Sequence, residues 1–280
     1  MKRQFVLPAI LVIVMFLAML SPSAIHGIQN ILLKSSVKTT VNSEAKQIQL
    51  QKDDYIYLGK YLGEDILWRV LEVNDDKALL MSEYVICFKA FDAKGESDEF
   101  HESDSEKYGS SDWDNSSLKQ WLNSNENVVS YTHCPPEKGN TFNSYNIYDG
   151  EKGFLNVENF SDKERNLITD DGVFLLSKSQ LKKYFSNSSR KKICTNSCIK
   201  QNDAPYINLP GKSVWYWTSS PATSNNVSVT AVTSSGTFYK SLAFDGTMGV
   251  CPALYINNQT HETYGGNGNI NTPYMLEVKK

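Results

Sequence analysis

Ile66-Leu67-Trp68-Arg69-Val70-Leu71-Glu72-Val73, then Asn74-Asp75-Asp76, then Lys77-Ala78-Leu79-Leu80-Met81-Ser82: two apolar runs of strand length are joined by a triplet of turn formers. Branched and aromatic residues on either side of a short Asn/Asp turn predict a β-hairpin. Just upstream, residues 55–58 predict another strand, so the folded part opens on strands.

Downstream the period changes. Ser116 or Ser117 is placed to cap a short helix whose Leu118, Trp121 and Leu122 share one face while Lys119, Gln120 and Asn123 point outward. Ser161-Asp162-Lys163-Glu164 has the spacing of a capping box and predicts a helix carrying Leu167 and Ile168. The strand Val173-Phe174-Leu175-Leu176 follows, and a second box, Ser177-Lys178-Ser179-Gln180, opens a helix with Leu181, Tyr184 and Phe185 inward. From residue 214 onward the pattern is strand and turn only, at 214–218, 227–232, 237–239, 253–256 and 275–278, with Gly, Asn and Ser clusters between. Strands, then helices confined to the middle, then strands again indicate an α+β domain rather than a doubly wound α/β sheet.

Met1-Lys2-Arg3 is a short cationic start before an apolar run at residues 5–20 and the small, turn-prone Ser21-Pro22-Ser23-Ala24. That order predicts a secretory signal peptide over residues 1–28, and hence a secreted or cell-surface protein. The run is shorter than the ~20 residues of a spanning helix, and Pro8 interrupts it, which favours cleavage over a permanent membrane anchor. If it is kept, Lys2 and Arg3 stay on the cytoplasmic side and the membrane becomes a partner. Residues 29–52 are polar and read as a linker, leaving residues 53–280 as a single globular domain.

The 280 residues carry a net charge of -3, with lysine and arginine dispersed through the folded part, which excludes a nucleic-acid footprint. Five cysteines, Cys87, Cys134, Cys194, Cys198 and Cys251, leave at least one unpaired in an oxidising compartment. Cys194 and Cys198 are the easiest to join, and so short a loop contributes about 2 kcal/mol by chain entropy. Neither His101 nor His133 stands at zinc-ligand spacing from a cysteine, so no metal or other cofactor is expected. Asp112-Trp113-Asp114-Asn115 gathers oxygens suited to calcium, but a short Asp/Asn cluster before a helix reads more plainly as a turn and cap.

Taken in order, Trp68-Arg69-Val70-Leu71, Ala78-Leu79-Leu80-Met81-Ser82, Ser117-Leu118-Lys119-Gln120-Trp121-Leu122-Asn123, Val173-Phe174-Leu175-Leu176-Ser177, Trp215-Tyr216-Trp217-Thr218-Ser219-Ser220-Pro221 and Gly249-Val250-Cys251-Pro252-Ala253-Leu254 resemble one family. It is an uncharacterised bacterial domain of unknown function, often exported, that looks related to the C-type-lectin-like and formylglycine-generating-enzyme-like folds. Where the family usually has an arginine before Pro-Ala-Leu this chain has Cys251, and where it often has Leu-Arg-Ser-Pro this chain has Thr218-Ser219-Ser220-Pro221. An arginine-centred network is therefore not carried over.

The lectin-like relation implies a binding role, with the C-terminal strands and their loops presenting the ligand surface. The candidate ligand-binding residues are Tyr216, Trp217, Tyr239, Asn225, Asn226 and Asp245, and the ligand is a glycan or protein outside the cytoplasm. Strand alternation sends Trp215 and Trp217 to one face and Tyr216 to the other. An exposed member of this group would stack on a sugar ring, whereas the plainer reading of both tryptophans is core packing. A structural subunit of an envelope assembly is the second reading. The enzyme-like relation implies a third, a thiol- and copper-dependent oxidase centred on Cys251. The chain holds no complete catalytic motif, which favours a binding protein over an enzyme.

Overall fold

The opening hairpin forms with the bounds its sequence sets on the second strand, Lys77–Ser82. A computed structural model of the protein describes residues 46–95, 104–201, 210–222, 226–259 and 261–277. The residues read as a signal segment and most of the stretch read as linker lie outside these. Among the described residues no helix is long and apolar enough to cross a membrane.

In chain order the elements are β1 (Lys46–Ile48), β2 (Tyr55–Tyr61), β3 (Glu64–Val73), β4 (Lys77–Ser82), β5 (Cys87–Phe88), α1 (Asp104–Tyr108), α2 (Ser117–Asn123) and α3 (Asp162–Arg165). There follow β6 (Ile168–Leu175), α4 (Lys178–Tyr184), β7 (Lys192–Ile193), α5 (Asn196–Gln201), β8 (Ser213–Val214), β9 (Tyr216–Pro221), β10 (Ser228–Val232), β11 (Phe238–Leu242), β12 (Gly249–Val250), β13 (Pro252–Asn257), β14 (His261–Gly265) and β15 (Tyr274–Glu277). An eight-stranded sheet runs β1-β14-β15-β2-β3-β4-β13-β6, and a five-stranded sheet runs β11-β10-β9-β12-β5. The architecture is mixed α+β, with the described helices confined to the middle of the chain.

Three local outcomes have physical causes. Ser116 caps α2 by accepting from the Lys119 amide, and Ser161 and Ser177 both make complete capping boxes. The first box nevertheless starts a helix of only four residues, because Ile168 leaves to pair with Ile256 across β6 and β13. A box fixes where a helix begins; tertiary pairing decides where it stops. The sheet also begins inside the stretch read as linker: β1 pairs with β14, Ile48 opposite His261, and buries Ile48 and Leu50. Two apolar residues at strand spacing are too faint a signal against a polar background.

Predicted strand 214–218 is broken at Trp215: Val214, in β8, pairs with Lys192 of β7, and Tyr216 onward enters the five-stranded sheet as β9. Two cores result. One is centred on Trp68, Trp121, Phe154 and Trp217, the other on Leu79, Met81, Leu181, Tyr216 and Cys251.

His261 gives the fold a measurable pH response. It is 5% exposed, its Nε2 lies 3.1 Å from the Asn257 carbonyl, and burial holds its pKa below the ordinary 6.5. The unfolded chain therefore takes up a proton that the folded state refuses, so stability rises with pH from the depressed value up to about 6.5 and is lost on acidification through that window. Urea midpoints should fall between pH 7 and pH 5, and His261→Phe should flatten that part of the curve.

Candidate functional site

β9 carries two of the six predicted ligand residues, Tyr216 and Trp217, and its position decides their fate. It lies third in the five-stranded sheet, with β10 on one side and β12 on the other. Alternation holds as expected: Trp217 joins the first core and Tyr216 the second. Because both faces of the strand are covered, both residues are 1% exposed. Tyr216 donates its hydroxyl to the Arg190 carbonyl at 2.9 Å, and Trp217 donates Nε1 to the Lys89 carbonyl at 2.9 Å. Both are core residues rather than the exposed ligand contacts the sequence suggested.

The β10–β11 hairpin carries the remaining candidates toward its two ends. Asn226 and Asp245 are placed near the end where Ser228 faces Leu242, and Tyr239 sits opposite Ala231 toward the other. Asp245 is a turn brace: one carboxylate oxygen accepts from the Ser241 hydroxyl, the other from the amide and hydroxyl of Thr247. Both its oxygens are thus engaged locally. Asn226 is exposed and its carbonyl accepts from the Ser111 amide at 2.7 Å, while Asn225 lies outside the described residues. Tyr239 is 61% exposed, its ring edge-on to half-buried Trp215 with centroids 5.7 Å apart.

Beside Tyr239 the surface is concave. A cavity of about 330 Å³ is lined by Lys178, Pro221, Ala222, Thr230, Phe238, Tyr239 and Lys240. Its walls are fixed from three directions. The start of α4 is tied to β9 by the Lys178 amide, which donates to the Ser220 hydroxyl at 2.9 Å. The hairpin turn is held by Gly236, whose φ of +82° only glycine adopts without strain. A Cβ there would stand 1.7 Å from the Asn187 carbonyl oxygen, so the turn packs directly on the loop after α4. Arg190 completes the clamp by donating to the Gly236 carbonyl at 2.8 Å and placing its guanidinium 4.5 Å from the centre of the Phe238 ring.

The thiols are arranged for stability rather than reactivity. Cys194 and Cys198 are not joined by a disulfide; their thiols hydrogen-bond to each other across the start of α5, which together with burial pushes the Cys198 pKa up. Burial lifts the pKa of both Cys87 and Cys251 to about 12. A nucleophilic or metal-binding cysteine needs an accessible thiolate, so the oxidase reading finds no support at Cys251. The buried cation nearby is Lys192, paired with Glu83 at 3.3 Å. Among the described residues no group of three or more His, Cys, Asp or Glu is placed to hold a metal ion. Asp112 and Asp114 close an Asx turn, the Asp114 amide donating to Asp112 at 3.0 Å, and Asp114 pairs with Lys119.

Sequence reading missed a buried polar cluster. Lys89 is fully buried, with its Nζ 2.5 Å from Glu151 and 4.5 Å from the ring centres of both Trp121 and Tyr148. Glu151 also accepts from the Tyr61 hydroxyl at 2.6 Å. The available signal was a lone lysine inside the apolar stretch Val85-Ile86-Cys87-Phe88-Lys89-Ala90-Phe91.

Two packed cores, a mixed α+β architecture and one clamped aromatic cavity at a sheet edge define a class of domain rather than an activity. The family model described as domain of unknown function DUF6273 matches residues 75–258, and the chain belongs to that family. No curated protein and no solved structure matches the chain.

Proposed function

We propose that the protein is an exported, non-catalytic binding module, C-type-lectin-like in fold, that holds a glycan without calcium in the cavity beside Tyr239. The observation that carries this is the exposure of Tyr239, at 61%, on the rim of a cavity whose lining mixes apolar surface with lysine and threonine. Ligand sites are typically concave and apolar with a few fixed polar groups, and an exposed aromatic gives a sugar ring an apolar face to rest on. The cationic start and apolar run of the first 20 residues support export. The helices placed between two strand-rich parts support the lectin-like comparison.

The test is binding of the purified protein to an array of bacterial and host glycans, with and without calcium. Tyr239→Ala should weaken any genuine hit by at least about tenfold, the cost of losing a central aromatic contact, and leave stability within about 0.5 kcal/mol. Hits that need calcium, or that survive the substitution, would exclude this cavity as the site.

A further inference from the structure

The cavity is positively charged, and among the described residues its cations have no anionic partners. Around the Phe238 ring lie the Arg190 guanidinium at 4.5 Å, Lys178 Nζ at 5.6 Å and Lys182 Nζ at 6.0 Å. Lys240 stands two residues along β11, on the same face of the strand as Phe238 by alternation, and lines the cavity with it. Arg190 is 6% exposed, yet its guanidinium donates only to the Phe185 and Gly236 carbonyls and the Asn187 side-chain oxygen, none of them charged. Among the described residues neither it nor any of the three lysines makes an ion pair.

Some lysines elsewhere are neutralised, as Lys77 with Asp171 and Lys119 with Asp114. No Asp or Glu lines this cavity. Lys178 and Lys182 stand at i and i+4 on α4, a spacing at which like charges destabilise a helix. Four cations thus gather at one spot on a chain whose net charge is -3. Contacts with the Phe238 ring return part of the cost of gathering these cations, and an incoming anion would offset their mutual repulsion, since charge complementarity draws and orients a ligand.

Resting on the reading of the cavity as a glycan site, we propose that its ligand is an acidic polysaccharide. Its anionic groups would sit beside Lys178, Lys182 and Lys240, while a sugar ring further along the same polymer would cross the edge of β11 to rest against Tyr239, which alternation places on the strand's other face. The shared chemistry is the repeated anionic group on a glycan chain, whether carboxylate or sulfate.

The experiment is titration of the full protein with a polyuronate, a sulfated glycosaminoglycan and a neutral glucan of matched length, at ionic strengths of about 0.05 and 0.5 M, between which screening becomes short-ranged. Binding to at least one acidic polymer is expected, weakened at least about tenfold by the added salt and by Lys178→Glu/Lys182→Glu or Lys240→Glu. Lys60→Glu, far from the cavity in sequence and exposed, should change it by less than about twofold. Preference between the two acidic polymers distinguishes carboxylate from sulfate. Equal binding to the neutral glucan would overturn the acidic assignment and leave the glycan reading standing. Binding only to an acidic peptide such as polyglutamate, or to none of the polymers, would overturn both. Thermal unfolding of each variant guards against misfolding as the cause.

Discussion

Glu151→Gln is expected to lower stability by about 3 kcal/mol, because it strips the countercharge from a lysine that cannot reach water. Lys89 is wholly buried, its Nζ 2.5 Å from Glu151 and flanked by Trp121 and Tyr148. The two ring faces stabilise the cation by about 0.5–2 kcal/mol each, too little to replace a carboxylate in a desolvated site. The partner's position is different. Glu151 keeps 24% of its side chain exposed and also holds the Tyr61 hydroxyl, so it can be hydrated when the lysine is removed. Lys89→Met should therefore cost less, about 1 kcal/mol, with methionine filling the same volume. The order of the two urea midpoints is the measurement. If Lys89→Met proved the more damaging, the carboxylate would be the buried charge and the ranking would reverse. Against a typical total of about 5–15 kcal/mol, the glutamine variant removes a large part of the margin.

The same cluster shows why the sequence reading stopped where it did. Strand and helix starts depend on neighbours in the chain, and they were legible: the β3–β4 hairpin, the Ser116 cap and both capping boxes form where the residues indicate. Alternation along β9 was legible too. Burial of Tyr216 was not, because it depends on β10 and β12 flanking the strand and on cores covering both faces. Lys89 meets Glu151 across a long loop, and neither belongs to a motif. The cavity assembles Lys178 from α4 with Phe238 and Lys240 from β11, a meeting that the packing of the hairpin turn on the loop after α4 brings about. Of the cavity's residues, Tyr239 was a candidate from the sequence; its turn-rich surroundings, like those of Tyr264, favour exposure, and both are exposed.

Trp217→Ala should be the most destabilising single change, at about 4 kcal/mol, because it removes a buried indole and strands its partner. The ring packs edge-on to Phe91 at 5.7 Å, and its Nε1 satisfies the Lys89 carbonyl, so the loss reaches the backbone of the buried lysine as well. Trp217→Phe keeps most of the packing but not the hydrogen bond, and should cost about 1–2 kcal/mol. Its glycan affinity, measured below the unfolding transition, should stay within about twofold of the parent, because the side chain is 1% exposed and reaches no ligand surface. Tyr239→Ala should behave in the opposite way, with stability kept and affinity lost. Two aromatics that the sequence places in the same strand-rich stretch thus separate into a core role and a surface role. Loss of affinity in Trp217→Phe at unchanged stability would mean that the β9 core and the cavity are coupled through β10, since Ala231 is paired with Trp217 on one side and Tyr239 on the other.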